Sequence, residues 1–104
     1  MPFSVYILEC ADPSFYVGMT EALEKRLAEH QSDLNPNAYT HSRRPVRLVW
    51  SMTFDSEHQA FVRERQIKGW SRAKKLALIR GDWDLMHEIV KRERTSREKK
   101  KRTE

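Results

Sequence analysis

The sequence predicts an α+β fold, a small three-stranded sheet with helices packed against it. Three observations carry that expectation: two β-branched and aromatic runs joined by a turn over residues 3–19, an alternating run over 46–54, and apolar spacings of three and four with capping signals elsewhere. At 104 residues the chain has the size of one domain with one core. A single domain over residues 1–90 and a basic, flexible tail over 91–104 are expected.

The opening run Phe3–Cys10 and the run Phe15–Met19 flank the turn-forming Ala11-Asp12-Pro13-Ser14, which predicts a β-hairpin. Thr20 offers a capping hydroxyl, Glu21 and Glu24 suit a helix N-terminus, and Leu23 with Leu27 marks an apolar stripe, predicting a helix over 21–31. Residues 33–45 read as a loop. From Val46 the alternation predicts a third strand with Val46, Leu48, Trp50, Met52 and Phe54 on one side. Ser56-Glu57-His58-Gln59 has the form of a capping box and starts a helix running to Gly69 or Trp70. Ser71 caps a further helix with Leu76 and Ile79 facing inward and Gly81 ending it, and Asp82 caps a last short helix carrying Trp83, Met86 and Val90. The spacing of Trp50, Trp70 and Trp83 within amphipathic segments predicts core packing rather than stacking on bases.

The net charge of +5 has an uneven origin. Residues 91–104 hold eight Lys/Arg against three Glu, which equals the whole excess, whereas residues 43–80 carry ten basic and three acidic side chains. A basic face suited to nucleic acid is expected, and the alternative is an ordinary solvated helix surface. No run approaches the roughly 20 apolar residues of a membrane span, and no basic leader precedes the first strand, so a soluble, cytoplasmic protein is expected. The single cysteine, Cys10, forms neither an internal disulfide nor a Cys-rich zinc site.

Glu64 stands out because Ala60, Glu64 and Ile67 lie at i, i+4 and i+7, which puts a carboxylate inside an apolar helical stripe. A carboxylate buried there needs a cation, a metal ion or hydrogen-bond donors. On the first helix Arg26 and His30 share a face at i, i+4. Taken singly, each of these, and Tyr6 and Tyr16 of the hairpin, is more often a structural residue.

Together they resemble the GIY-YIG nucleases. Val5-Tyr6-Ile7 and Tyr16-Val17-Gly18 are similar to the two namesake tripeptides. They are followed in order by Thr20, the Leu23–Leu27 run with Arg26, His30, and Ala60-x-x-x-Glu64-x-x-Ile67-Lys68. The resemblance spans residues 3–80 and is closest to the small stand-alone bacterial members, which share the Arg43-Arg44-Pro45-Val46 stretch and a helix opening like Ser71–Lys75. Val5 stands where the first glycine would be. An asparagine that follows the metal-binding helix in some family nucleases has no counterpart, since the only asparagines are Asn35 and Asn37.

The resemblance implies an antiparallel sheet and a metal-dependent endonuclease acting on nucleic acid, DNA by expectation, in repair or processing. It implies that Glu64 alone among protein groups binds one Mg²⁺ or Mn²⁺, that Arg26 holds the scissile phosphate, and that Tyr6 is the general base supported by Tyr16 and His30. A general-base role for Tyr6 requires its pKa to be lowered. Gly18 lets the backbone pass close to the site, and Arg43, Arg44, Lys68, Arg72, Lys74 and Lys75 are expected on phosphates away from the cut. The alternative is a non-catalytic nucleic-acid-binding module on the same fold. No membrane partner is expected, and no protein partner is inferable from the sequence.

Overall fold

A computed structural model describes residues 2–32 and 40–102 of the chain. Residues 33–39 of the expected loop, with Asn35 and Asn37, lie outside the described residues. Two compact units follow one another, the first running through Gly69 and the second from Trp70.

In the first unit, β1 (Phe3–Glu9) and β2 (Phe15–Thr20) form the expected hairpin, paired antiparallel from Ser4 opposite Thr20 to Glu9 opposite Phe15. Asp12 shapes the turn: its carboxylate accepts from the Ser14 amide at 2.9 Å and the Ser14 hydroxyl at 2.6 Å. β3 (Arg47–Phe54) pairs antiparallel with the other side of β1, giving the order β2-β1-β3. As the central strand, β1 buries Val5, Tyr6, Ile7 and Leu8 completely, although they alternate between the two faces.

The third strand departs from the simple alternation. Ile7 stands opposite Trp50 and Leu8 opposite Leu48, leaving Val49 as the extra residue of a β-bulge. Leu48 is thereby turned to the face opposite Trp50, and the single apolar side expected along this strand does not form. Leu48 and Met52 are exposed, as an edge strand covered on one flank only allows.

Helix α1 (Leu23–Gln31) begins two residues later than expected, because Thr20 is the last paired residue of β2. The Thr20 hydroxyl accepts from the Ala22 amide at 3.0 Å, which turns the chain toward the helix without capping it. Leu23 and Leu27 of α1, with Tyr16, pack on a buried cluster of Tyr6, Leu8, Cys10 and Val46, so α1 covers the Tyr6 face of the sheet. Helix α2 (Glu57–Lys68) starts where the capping box predicts, the Ser56 hydroxyl accepting from the Gln59 amide at 3.2 Å. It packs on all three strands and buries Ala60, Glu64 and Ile67.

The second unit consists of α3 (Arg72–Arg80) packed against α4 (Trp83–Arg102). Ser71 caps α3 through the Lys74 amide, Gly81 ends it at φ +66°, and the Asp82 carboxylate accepts from the Leu85 amide at the start of α4. Ala77 and Leu78 are the buried residues of α3, while Leu76 and Ile79 are half-buried. The last helix is not short, since it runs for 20 residues into the basic segment. Trp50 and Trp70 are half-buried, but Trp83 is exposed: it is the first residue of α4, outside the buried face that Met86 and Ile89 define. No helix among the described residues is long and apolar enough to cross a membrane.

Candidate active site

Strand pairing sets the geometry of the first cluster. Tyr6 stands opposite Gly18, and Tyr16 lies two residues along β2 on the same face. A Cβ built on Gly18 would fall 2.6 Å from the Tyr6 hydroxyl oxygen and 3.0 Å from Tyr16 Cε1, so only glycine leaves room for the phenol at this point. The two tyrosine rings lie 6.2 Å apart between centroids, and His30 of α1 meets both edge-on, 6.0 Å from Tyr6 and 4.8 Å from Tyr16.

A chain of hydrogen bonds runs through this cluster. The Tyr6 hydroxyl lies 3.0 Å from His30 Nε2, and His30 Nδ1 lies 2.8 Å from the Thr40 hydroxyl. Tyr6 and Thr40 are fully buried and His30 nearly so. Burial lowers the His30 pKa and the nearby Arg26 lowers it further, with Glu29 opposing, so the ring is neutral at neutral pH. Burial raises the Tyr6 pKa and the neighbouring Tyr16 adds to the rise, with Arg26 offsetting part of it. The lowered pKa that a general-base role for Tyr6 requires is therefore absent from this arrangement, and the sealed phenol has no surface for water to reach. Tyr16 is only half-buried.

Arg26 is exposed on α1 and pairs with Glu29 at 3.3 Å. It also lines a cavity of about 400 Å³ with Phe3, Met19, Thr20, Lys25, Glu29 and Glu57, bounded by charged groups of α1 and the start of α2. The tyrosines, His30 and Glu64 are not among the walls of that cavity.

Glu64 is buried on α2, 6 % exposed. Its Oε1 lies 2.7 Å from Lys68 Nζ one turn on, close enough for an ion pair, yet it receives no hydrogen bond of good alignment from the described residues. Among the described residues no group of three or more His, Cys, Asp and Glu converges as a ligand set. A cation held here would take Glu64 and complete its shell with water and substrate oxygens, which suits Mg²⁺ or Mn²⁺.

The residues expected on distant phosphates are largely engaged within the protein. Arg43 Nε donates to Asp12 at 3.0 Å, Arg44 donates to the Gln31 carbonyl at 3.2 Å, and Lys68 pairs with Glu64. Lys74 is mostly buried, its ammonium 4.6 Å above the Trp70 ring and 3.3 Å from Glu93. Lys75 is half-buried, and burial lowers its pKa. Arg72 is exposed at the start of α3. Thr40 escaped the sequence reading because it stands in a polar loop, and its partner His30 is reached only through the tertiary fold.

The GIY-YIG catalytic domain matches residues 2–77. A UPF0213 protein of Syntrophus aciditrophicus is 53 % identical over 76 residues, covering 73 % of this chain and 87 % of the relative. One from Staphylococcus saprophyticus is 44 % identical over 75 residues, covering 72 % and 90 %. Among solved structures, a UPF0213 protein of Bacillus halodurans is 40 % identical with a TM-score of 0.51, covering 76 % of this chain and 83 % of that one. A protein from E. faecalis is 32 % identical with a TM-score of 0.57, covering 78 % and 85 %. Hairpin, ring cluster, acidic helix and matched sequence coincide over the same stretch, and the chain belongs to the GIY-YIG domain family.

Proposed function

We propose that the protein is a metal-dependent endonuclease that hydrolyses phosphodiester bonds of nucleic acid, DNA in the first instance. The observation that carries this reading is the Glu64 carboxylate, buried on an apolar helix face with one oxygen that accepts no well-aligned hydrogen bond from the described residues. Lys68 Nζ lies 2.7 Å from that oxygen as its counter-charge, and a divalent ion would take the same oxygen in its place. Glu64 would hold one Mg²⁺ or Mn²⁺, which when bound acidifies coordinated water and neutralises phosphate charge.

The remaining roles fall to the chain's own groups. Arg26, exposed and permanently charged, would bind the scissile phosphate through its forked guanidinium after releasing Glu29, with Lys25 beside it in the cavity. The half-buried Tyr16 would meet the attacking water in place of the sealed Tyr6. A proton taken by the Tyr16 oxygen is matched by one passed to Tyr6 and from Tyr6 to His30 Nε2, which is neutral and able to accept it. Tyr6 thereby serves as a relay, and Gly18 makes its position possible. Phosphates away from the cut would meet Arg44 of the first unit, whose guanidinium reaches the Gln31 carbonyl.

A second reading, a nucleic-acid-binding module without chemistry, is favoured by one observation: Lys68 already gives Glu64 a counter-charge. The two are separated by incubating nicked, branched and single-stranded DNA with the protein and Mn²⁺. Product that disappears with EDTA and with Glu64→Gln supports the nuclease. Binding without product in every arm supports the module.

A further inference from the structure

We infer that Thr40 is a positioning residue of the candidate site, fixing the tautomer of His30 so that Nε2 is free to accept the proton of Tyr6. This deepens the nuclease reading and rests on it for its consequence in catalysis, though not for its geometry.

A neutral imidazole has one donor and one acceptor nitrogen, so of the two hydroxyls on His30 one donates and the other accepts. A phenol is far more acidic than an aliphatic hydroxyl and is the better donor. Tyr6 therefore donates to Nε2, and Nδ1–H donates to Thr40 Oγ1 at 2.8 Å.

Local structure holds Thr40 in place for this. It is fully buried, and it opens the 3₁₀ turn His41–Arg43, whose Arg43 amide donates back to the Thr40 carbonyl at 3.1 Å. That turn is tied to the β1–β2 hairpin twice, by the Ala11 amide on the Arg43 carbonyl at 2.9 Å and by the Arg43–Asp12 ion pair. The hairpin that carries both tyrosines thus also anchors the hydroxyl that orients the histidine. Arg43 acts here as a clamp of the turn.

The test uses the full chain and long-range proton–nitrogen NMR correlations of its histidine rings, with His30 assigned from a His30→Gln variant. Wild-type protein is expected to carry the His30 proton on Nδ1. Thr40→Ser is expected to keep that tautomer, and Thr40→Val to lose it. In the Mn²⁺ cleavage assay Thr40→Val should lower kcat about tenfold or more, part of the ~10²–10⁴-fold that acid–base catalysis supplies, with KM unchanged and the serine variant restoring most of the rate. A wild-type His30 protonated on Nε2 overturns the inference, as does a folded Thr40→Val protein with the wild-type tautomer. If Thr40→Val does not fold, the wild-type spectrum alone decides. If no DNA is cleaved, the nuclease reading fails while the ring spectra still judge the role of Thr40.

Discussion

The Tyr6 hydroxyl occupies the space in which a side chain at position 18 would begin: a Cβ on Gly18 would lie 2.6 Å from the phenol oxygen and 2.7 Å from the ring carbon that bears it. Tyr6 is fully buried and hydrogen-bonded to His30, so it has no free end to swing aside. Gly18→Ala should therefore destabilise the fold by about 1–3 kcal/mol, the usual range for overpacking a filled site. Urea unfolding measures this, and an alanine variant as stable as wild type would show that the phenol is not held where it stands.

Tyr6→Phe keeps the ring and deletes the hydroxyl. It leaves His30 Nε2 buried without its partner, at a cost of about 1–3 kcal/mol in stability. Cleavage should fall as well, because the link between Tyr16 and His30 is cut. A variant with unchanged unfolding midpoint and unchanged rate would remove Tyr6 from both roles.

Acid sensitivity should trace to His30. Burial, and then Arg26, holds its pKa in the folded protein below the ordinary 6.5, so as pH falls the unfolded chain takes up the proton first. The stabilisation from the neutral ring is complete above pH 6.5 and is lost as pH falls through the folded-state value. Denaturation between pH 8 and 5, compared between wild type and His30→Gln, should show a steeper acid loss in wild type. Parallel profiles would contradict this.

Arg26 is expected to act on charge at a distance as well as on phosphate. Arg26→Ala should abolish cleavage in a folded protein and, since Arg26 depresses the histidine, let His30 titrate at a higher pH. Ring NMR follows the second effect without any substrate. An unmoved His30 titration would place the guanidinium too far away to serve the cluster.

Much of this was legible in the sequence where the signal is local. Ser56, Ser71 and Asp82 cap their helices and Gly81 takes the left-handed conformation, because capping depends on neighbours three residues away. The buried stripe Ala60–Glu64–Ile67 likewise follows from helical period alone. The bulge at Val49 left no mark, since the apolar run reads the same with or without it and only pairing with β1 shows the slip. The role of Thr40 was invisible for a similar reason. Lys74 looked like a phosphate ligand until Glu93, far along the chain, proved to hold it. Burial raises the Tyr6 pKa, and the full burial of this residue shows only once β1 is the central strand and α1 covers that face of the sheet.

The proposal on which the rest depends is that the buried Glu64 carboxylate grips a divalent ion. Mn²⁺ titrated into the protein with a non-cleavable DNA analogue broadens NMR signals of nearby groups. The account predicts early loss of signals from Glu64 and its α2 neighbours together with the Tyr16 ring, abolished by Glu64→Gln. Broadening that is scattered over the surface and unaffected by that substitution would contradict it.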